Sequence, residues 1–182
     1  MKTDHIAAVE IQTDRLVLRA HRSSDLDDCA AMWGDPAVTR HISGAVFSRF
    51  ESWGKMLRYA GLWTIVGYGY WAIEERATKR YAGDIGFADF KREIDPCYAG
   101  IPEIGWVLAT SMHGRGYAAE AARAAVRWGD ENIAVTRTIC LIAPENSASI
   151  RVAQRSGYRQ IDEIRYHDEA TLVFARTMGQ TA

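Results

Sequence analysis

The sequence predicts an α+β (mixed α/β) domain, with one mostly antiparallel sheet of about six or seven strands flanked by about four helices. Three observations carry this. Residues 68–75, 81–90 and 103–108 are apolar-rich segments separated by polar connections, as antiparallel strands joined by turns are. Segments at 26–33, 49–61 and 117–132 repeat apolar residues at helical spacing. The last third, from 117 onward, alternates helix and strand.

The elements follow in order. Leu16–Arg19 (LVLR) alternates as a half-buried strand does. Ser23, Ser24 and Asp25 offer N-caps before LDDCAAMW, a helix that should stop near Gly34-Asp35-Pro36. Phe50, Trp53, Met56, Leu57 and Ala60 make 49–61 a second amphipathic helix. Strands at 68–75 and 81–90 should pair as a hairpin, with Gly83 and Gly86 marking a bulge or a close backbone approach. A polar loop with Pro96 and Gly100 leads to EIGWVL at 103–108. The helix at 117–132 has an alanine-rich inner face, Tyr117, Ala118, Ala121, Ala122, Ala125 and Val126, so it can lie close to a sheet. Strand 137–142, a short helix at 146–156 ended by Gly157, and strands at 158–164 and 171–176 close the chain.

A length of 182 residues fits a single domain over 1–182, with 1–12 a loose leader. Lys and Arg total 22 against 23 Asp and Glu, so no global charge draws the chain to nucleic acid or an anionic membrane, and neither is expected as a partner. No apolar run approaches the roughly 18–20 residues that span a bilayer. The opening MKTDHIAAVEIQTDRL has no apolar signal core, so a cytoplasmic location is expected. Cys29, Cys97 and Cys140 are odd in number and widely spaced, which reads as free thiols in a reducing compartment. No metal is expected: there is no Cys-x-x-Cys pair, and His21, His41 and His167 lack ligand spacing and read as surface or loop histidines. Trp33, Trp53, Trp63 and Trp71 crowd the first half, where they can pack a core or wall an acceptor site.

One stretch carries chemistry: His113-Gly114-Arg115-Gly116-Tyr117-Ala118-Ala119-Glu120, which opens the 117–132 helix. Its glycines let the backbone turn tightly and leave no side chain over the N–H groups. The first amides of a helix lack internal partners and sit at its positive end, which suits a pyrophosphate; Arg115 could add charge at the rim. No Walker string is present. Gly114-x-Gly116-x-x-Ala119 matches a dinucleotide fingerprint literally, but it stands several residues after a strand and lacks the acid at the next strand end.

Residues 113–118 (HGRGYA) resemble the acetyl-coenzyme A loop of the GNAT superfamily of N-acetyltransferases, Gln/Arg-x-x-Gly-x-Gly/Ala, with Gly116 and Ala118 in place and His113 departing at the first position. The string GRGYAAEA, the opening RLVLRAHRSSDLDD at 15–28, PEIGWVL at 102–108 and PENSASIRVAQRSGY at 144–158 resemble the RimJ/RimL-like, ribosomal-protein-alanine acetyltransferase branch. The resemblance covers about residues 13–176. It implies a GNAT fold in which the family's fourth and fifth strands, here 103–108 and 137–142, splay apart. It implies acetyl-coenzyme A as cosubstrate, a primary amine as acceptor, and a monomer or homodimer.

The resemblance also implies site residues. His113, Gly114, Arg115, Gly116, Tyr117, Ala118, Ala119 and Asn146 would bind the cofactor, as would the main chain of Val107 and Leu108, where a backbone N–H would also face the thioester oxygen. Glu103 is the implied base, with Asp84 and Asp89 as weaker alternatives. Many members carry a tyrosine acid where this chain has Ala153, and Ser149 is the branch's substitute. Arg151 and Arg155 stand one turn apart and could meet the adenosine phosphate. The acceptor is a protein N-terminal α-amino group or a small-molecule amine. The competing function is a non-catalytic acyl-coenzyme A-binding regulatory domain.

Overall fold

The computed structural model describes residues 8–94 and 98–179. Pro96, Cys97 and most of the expected leader therefore lie outside the described residues. The start of the described chain is not loose: Ile11–Gln12 (β1) pairs antiparallel with Leu16–Arg19 (β2). The Trp71 indole N–H also donates to the Val9 carbonyl at 2.8 Å.

Helix α1 (Leu26–Trp33) ends at Gly34, as its stop signal predicts. A one-turn helix, α2 (Pro36–Thr39), follows because the Asp35 side chain accepts from the Ala37 N–H and Pro36 fits a first turn. Helix α3 (Arg49–Val66) starts in a capping box of Ser48 and Glu51 and stops at left-handed Gly67. It runs past the expected end at 61 because Trp63 is buried against Trp71 and Trp128, and that burial outweighs the propensity cost of Gly61.

Strands β3 (Tyr70–Glu75), β4 (Tyr81–Ala88) and β5 (Glu103–Leu108) form an antiparallel meander. Gly83 and Gly86 mark close approach: a Cβ would sit 2.1 Å from the Val107 carbonyl oxygen or 2.2 Å from that of Gly69. The register irregularity of this hairpin falls on β3, between Ile73 and Glu74. Helix α4 (Tyr117–Asn132), strand β6 (Arg137–Ile142), helix α5 (Ser147–Arg155) and the hairpin of β7 (Arg159–Tyr166) and β8 (Glu169–Thr177) complete the chain. The β7–β8 turn uses His167 and Asp168 at φ +51 and +63, the left-handed pair a tight hairpin needs. The turn contains no glycine, so the sequence signal for it is weak and the strands reach further than expected.

Among the described residues the sheet has eight strands, ordered β1-β2-β3-β4-β5-β6-β8-β7. Every neighbouring pair is antiparallel except β5 with β6. The α+β reading therefore holds, with one strand more than expected at the N-terminal edge and one extra short helix. Ala121, Ala122 and Ala125 of α4 are fully buried and share a core with Ile85, Phe87 and Ile104. A second core, of Cys29, Met32 and Trp33 from α1 and Met56 from α3 on Ala72, Tyr81 and Val107, covers the opposite face.

Candidate functional site

β5 and β6 are parallel and share one registered pair, Glu103 with Ile139. The Ile139 N–H also bonds the Pro102 carbonyl at 3.0 Å. Beyond that point the strands diverge, so their facing backbone edges open into a cleft of about 1190 Å³. Ile104–Val107 lines one edge and Cys140–Ala143 the other. Its other walls come from α1, the segment after α2, α3, the 90–93 connection and the β7–β8 turn.

The loop before α4 has Gly114 at φ +74 and Gly116 at φ +75. A Cβ on Gly114 would meet nothing, and one on Gly116 only the Arg15 guanidinium at 3.6 Å, so the loop amides carry no shielding side chain. Gly116 is the N-cap, and no side chain caps the helix. The loop is braced from behind. Glu120 accepts from the Thr13 hydroxyl at 2.6 Å, the Arg15 N–H at 2.9 Å and the Arg15 Nε at 2.7 Å, while Arg15 donates to the Arg115 carbonyl at 2.8 Å. Burial raises the Glu120 pKa, but these donors prevail and hold it below the usual carboxylate range.

Two loop side chains have partners within the protein. Arg115 donates to Glu75 at 3.0 Å, where the Tyr117 hydroxyl also donates at 2.5 Å, so its charge is already matched and is not spare rim charge. The His113 ring Nε2 lies 2.9 Å from the Leu108 carbonyl oxygen, tying the loop to the end of β5. Ala118 and Ala119 present only methyl groups in the first turn of α4.

Glu103 lines the cleft at the apex of the splay, and Arg92 grips both its oxygens, at 2.7 and 3.0 Å. Ser149 and Asn146 line the cleft at the start of α5, where the Asn146 side chain caps the helix by accepting the Ser149 N–H at 3.1 Å. Val107 lines the cleft too, whereas Leu108 lies just beyond it. The structure thus brings Glu103, Val107, Asn146 and Ser149 to one opening. Arg151 and Arg155 are exposed on α5. Ala153 is buried in the core.

Residues 15–159 match the family model described as Acetyltransferase (GNAT) domain. The chain belongs to the GNAT acetyltransferase family. It is 29% identical to the Bacillus subtilis protein YkkB over 93% of this chain and 96% of that one. An acetyltransferase of Agrobacterium tumefaciens is 26% identical and superposes with a TM-score of 0.79, covering 93% of this chain and 95% of that one. RimL, a ribosomal alpha-N-protein acetyltransferase solved in complex with coenzyme A, shares the fold at 20% identity and a TM-score of 0.75, over 93% and 98% of the two chains.

In this GNAT chain several sequence expectations need correction or addition. His21 is neither a surface nor a free loop histidine: its side chain is 3% exposed and its Nε2 lies 2.8 Å from Asp84 Oδ1. Asp84 is fully buried and also accepts from the Tyr81 hydroxyl at 2.6 Å, so it cannot reach an acceptor directly. Asp89 is engaged with Lys91. Trp63 and Trp71 serve the core, while Trp33 lines the cleft, as does Trp106. Sequence reasoning passed over Arg15, Glu75, Arg92 and Lys55. Arg15 and Glu120 lie 105 residues apart, Arg115 and Glu75 40, and Arg92 and Glu103 11, and Lys55 meets the Trp33 and Phe47 rings, so no local pattern announces these contacts.

Proposed function

We propose that this GNAT protein transfers an acetyl group from acetyl-coenzyme A to a primary amine, by direct attack of the amine on the thioester. The observation that carries the reading is the combination of the strand splay with the bare, uncapped start of α4. Unshielded amides at a helix N-terminus favour a diphosphate, and the diverging edges of β5 and β6 offer unpaired backbone to an extended arm. The two left-handed glycines fit this use, because a larger residue would strain the turn and crowd the anion.

Acetyl-coenzyme A would supply the activated acyl group; the protein positions it and manages protons. The main chain of Leu108 would hold the arm, and its N–H would stabilise charge developing on the thioester oxygen, whereas Val107 turns its backbone toward Asp84 of β4 and would contribute only its side chain to the cleft. An α-amino group, with a pKa of about 7.7–8.0, needs less help to become neutral than a lysine-like amine of about 10.4. Glu103 would take that proton, directly or through water. A carboxylate has about four lone-pair sites, so Arg92 leaves it free to accept another donor. Ser149 would hydrogen-bond or protonate the departing thiolate. The motif resemblance and the RimL fold likeness support a RimJ/RimL-like role, with a protein N-terminus or a small amine as acceptor.

A second reading, a non-catalytic acyl-coenzyme A-binding domain, is favoured by one observation: Ala153, the position of the common tyrosine acid, is packed in the core and offers no hydroxyl. Thiol release from acetyl-coenzyme A with a panel of amines separates the two. Release that depends on the amine is expected. Tight coenzyme A binding with no release from any amine would replace the enzyme with the binding domain.

A further inference from the structure

The cleft wall made by α1, α3 and the segment after α2 carries unmatched cations. Arg40, Lys55 and Arg58 all line it, and among the described residues none has a carboxylate partner. Lys55 differs from an ordinary surface lysine. Its ammonium sits 4.0 Å from the Trp33 ring centre and 4.3 Å from that of Phe47, in the corner formed where those two rings meet edge to face. Ring faces offset part of the desolvation of a cation, but they accept none of its N–H bonds in the way an oxygen does. Burial and, next, the nearby Arg58 push the Lys55 pKa down to about 8, against the opposing pull of Asp84.

A second observation comes from the same corner. Trp33 is buried, it lines the cleft, and among the described residues its indole N–H has no acceptor. Buried donors are nearly always paired, so this orphan marks a corner whose polar groups the protein itself leaves short of acceptors, although the N–H lies in the ring plane and the Lys55 ammonium over the ring face. The acids that line the cleft do not fill this role. Glu103 pairs with Arg92, and none of Glu93, Glu103, Glu145 and Glu169 lies within salt-bridge distance of Lys55.

Resting on the acetyltransferase reading above, we propose that the acceptor is a primary amine that also carries a carboxylate, and that Lys55 in the Trp33–Phe47 corner receives that carboxylate. The amine then reaches toward the splay of β5 and β6 while its anionic group stays in the Trp33–Phe47 corner. Lys55 is in this sense a specificity-determining residue.

Two matched acceptor pairs test this at pH 7, where Lys55 is charged. One pair is L-phenylalanine and L-phenylalaninamide, with rates corrected for the neutral fraction of each amine. The other is the peptides Ser-Asp-Gly and Ser-Asn-Gly with amidated C-termini. The pairs separate a free amino acid from an acidic protein N-terminus as the source of the carboxylate. A preference of about tenfold or more in kcat/KM for the acidic member of at least one pair is expected. It should fall below about twofold in Lys55→Gln, persist in Lys55→Arg, and leave the coenzyme A Kd unchanged in both variants. Equal use of both members of each pair by the unaltered protein overturns the proposal, and so does a preference that survives Lys55→Gln.

If no amine is acetylated, the transferase reading fails by itself, and the carboxylate site is still read by tryptophan fluorescence. Saturable quenching by the acidic member, absent with its amide and lost in Lys55→Gln, supports the site. No difference between the members overturns it.

Discussion

Gly116 shows how much one backbone position decides. It stands at φ +75, where a side chain costs about 1–2 kcal/mol, and it is the N-cap of a helix that no side chain caps. Gly116→Glu would place a carboxylate where the proposal puts a diphosphate. Coenzyme A affinity by calorimetry should fall at least about a hundredfold, while the melting temperature should drop by only about 2–8 °C for a chain of this size. Unchanged affinity would remove the loop from the site. The glycines that make this loop were legible in the sequence because their conformational role is intrinsic. The directions of its side chains were not. His113 answers to the Leu108 carbonyl and Arg115 to Glu75, and only the folded chain brings these together.

At the scale of elements, β4 and β5 approach so closely that only hydrogen fits at Gly83. A Cβ there would lie 2.1 Å from the Val107 carbonyl oxygen and 2.7 Å from the Leu108 Cα, at φ +150. Gly83→Ala should cost more than about 3 kcal/mol in urea unfolding, because both offending atoms are backbone and cannot move aside. Gly54, inside α3 with nothing within 4 Å of its Cβ position, should behave oppositely, and Gly54→Ala should add about 0.5–1 kcal/mol. Element types were largely readable from periodicity: β5, α4 and β6 fall on the residues their patterns predict. Ends governed by tertiary contact were not. Trp63 packing carries α3 to Val66, and the glycine-free turn at His167-Asp168 hides how far β7 and β8 extend. In the candidate site, the sequence places Glu103 at the head of β5, but its clamp by Arg92 is not legible there, since the two lie 11 residues apart with no local pattern joining them.

At the scale of the whole molecule, buried or half-buried carboxylates tie distant segments together. Burial raises the pKa of Asp25, but Arg19, bonding both oxygens at 2.8 Å, and the Arg22 N–H reverse that and lower it. Asp130, held by Arg176 and the Gly179 N–H, and Glu120 behave alike, with burial again opposed and outweighed. A carboxylate whose folded pKa is depressed stabilises the fold fully above its unfolded value of about 4 and loses that contribution as the pH falls through the folded value. The melting temperature should therefore hold steady from pH 7 to about 5 and fall steeply below about 4. A flat profile down to pH 2.5 would contradict these pairings. The two ends of the sheet bear on solubility as well. On one side the outermost strand, β1, is two residues long. On the other, β7 carries Arg159, Asp162, Glu163 and Arg165 and breaks register between Gln160 and Asp162. One rim is too brief and the other too charged and kinked to template a foreign strand, so the open sheet resists stacking edge to edge with other chains even though Ile161 lies exposed there.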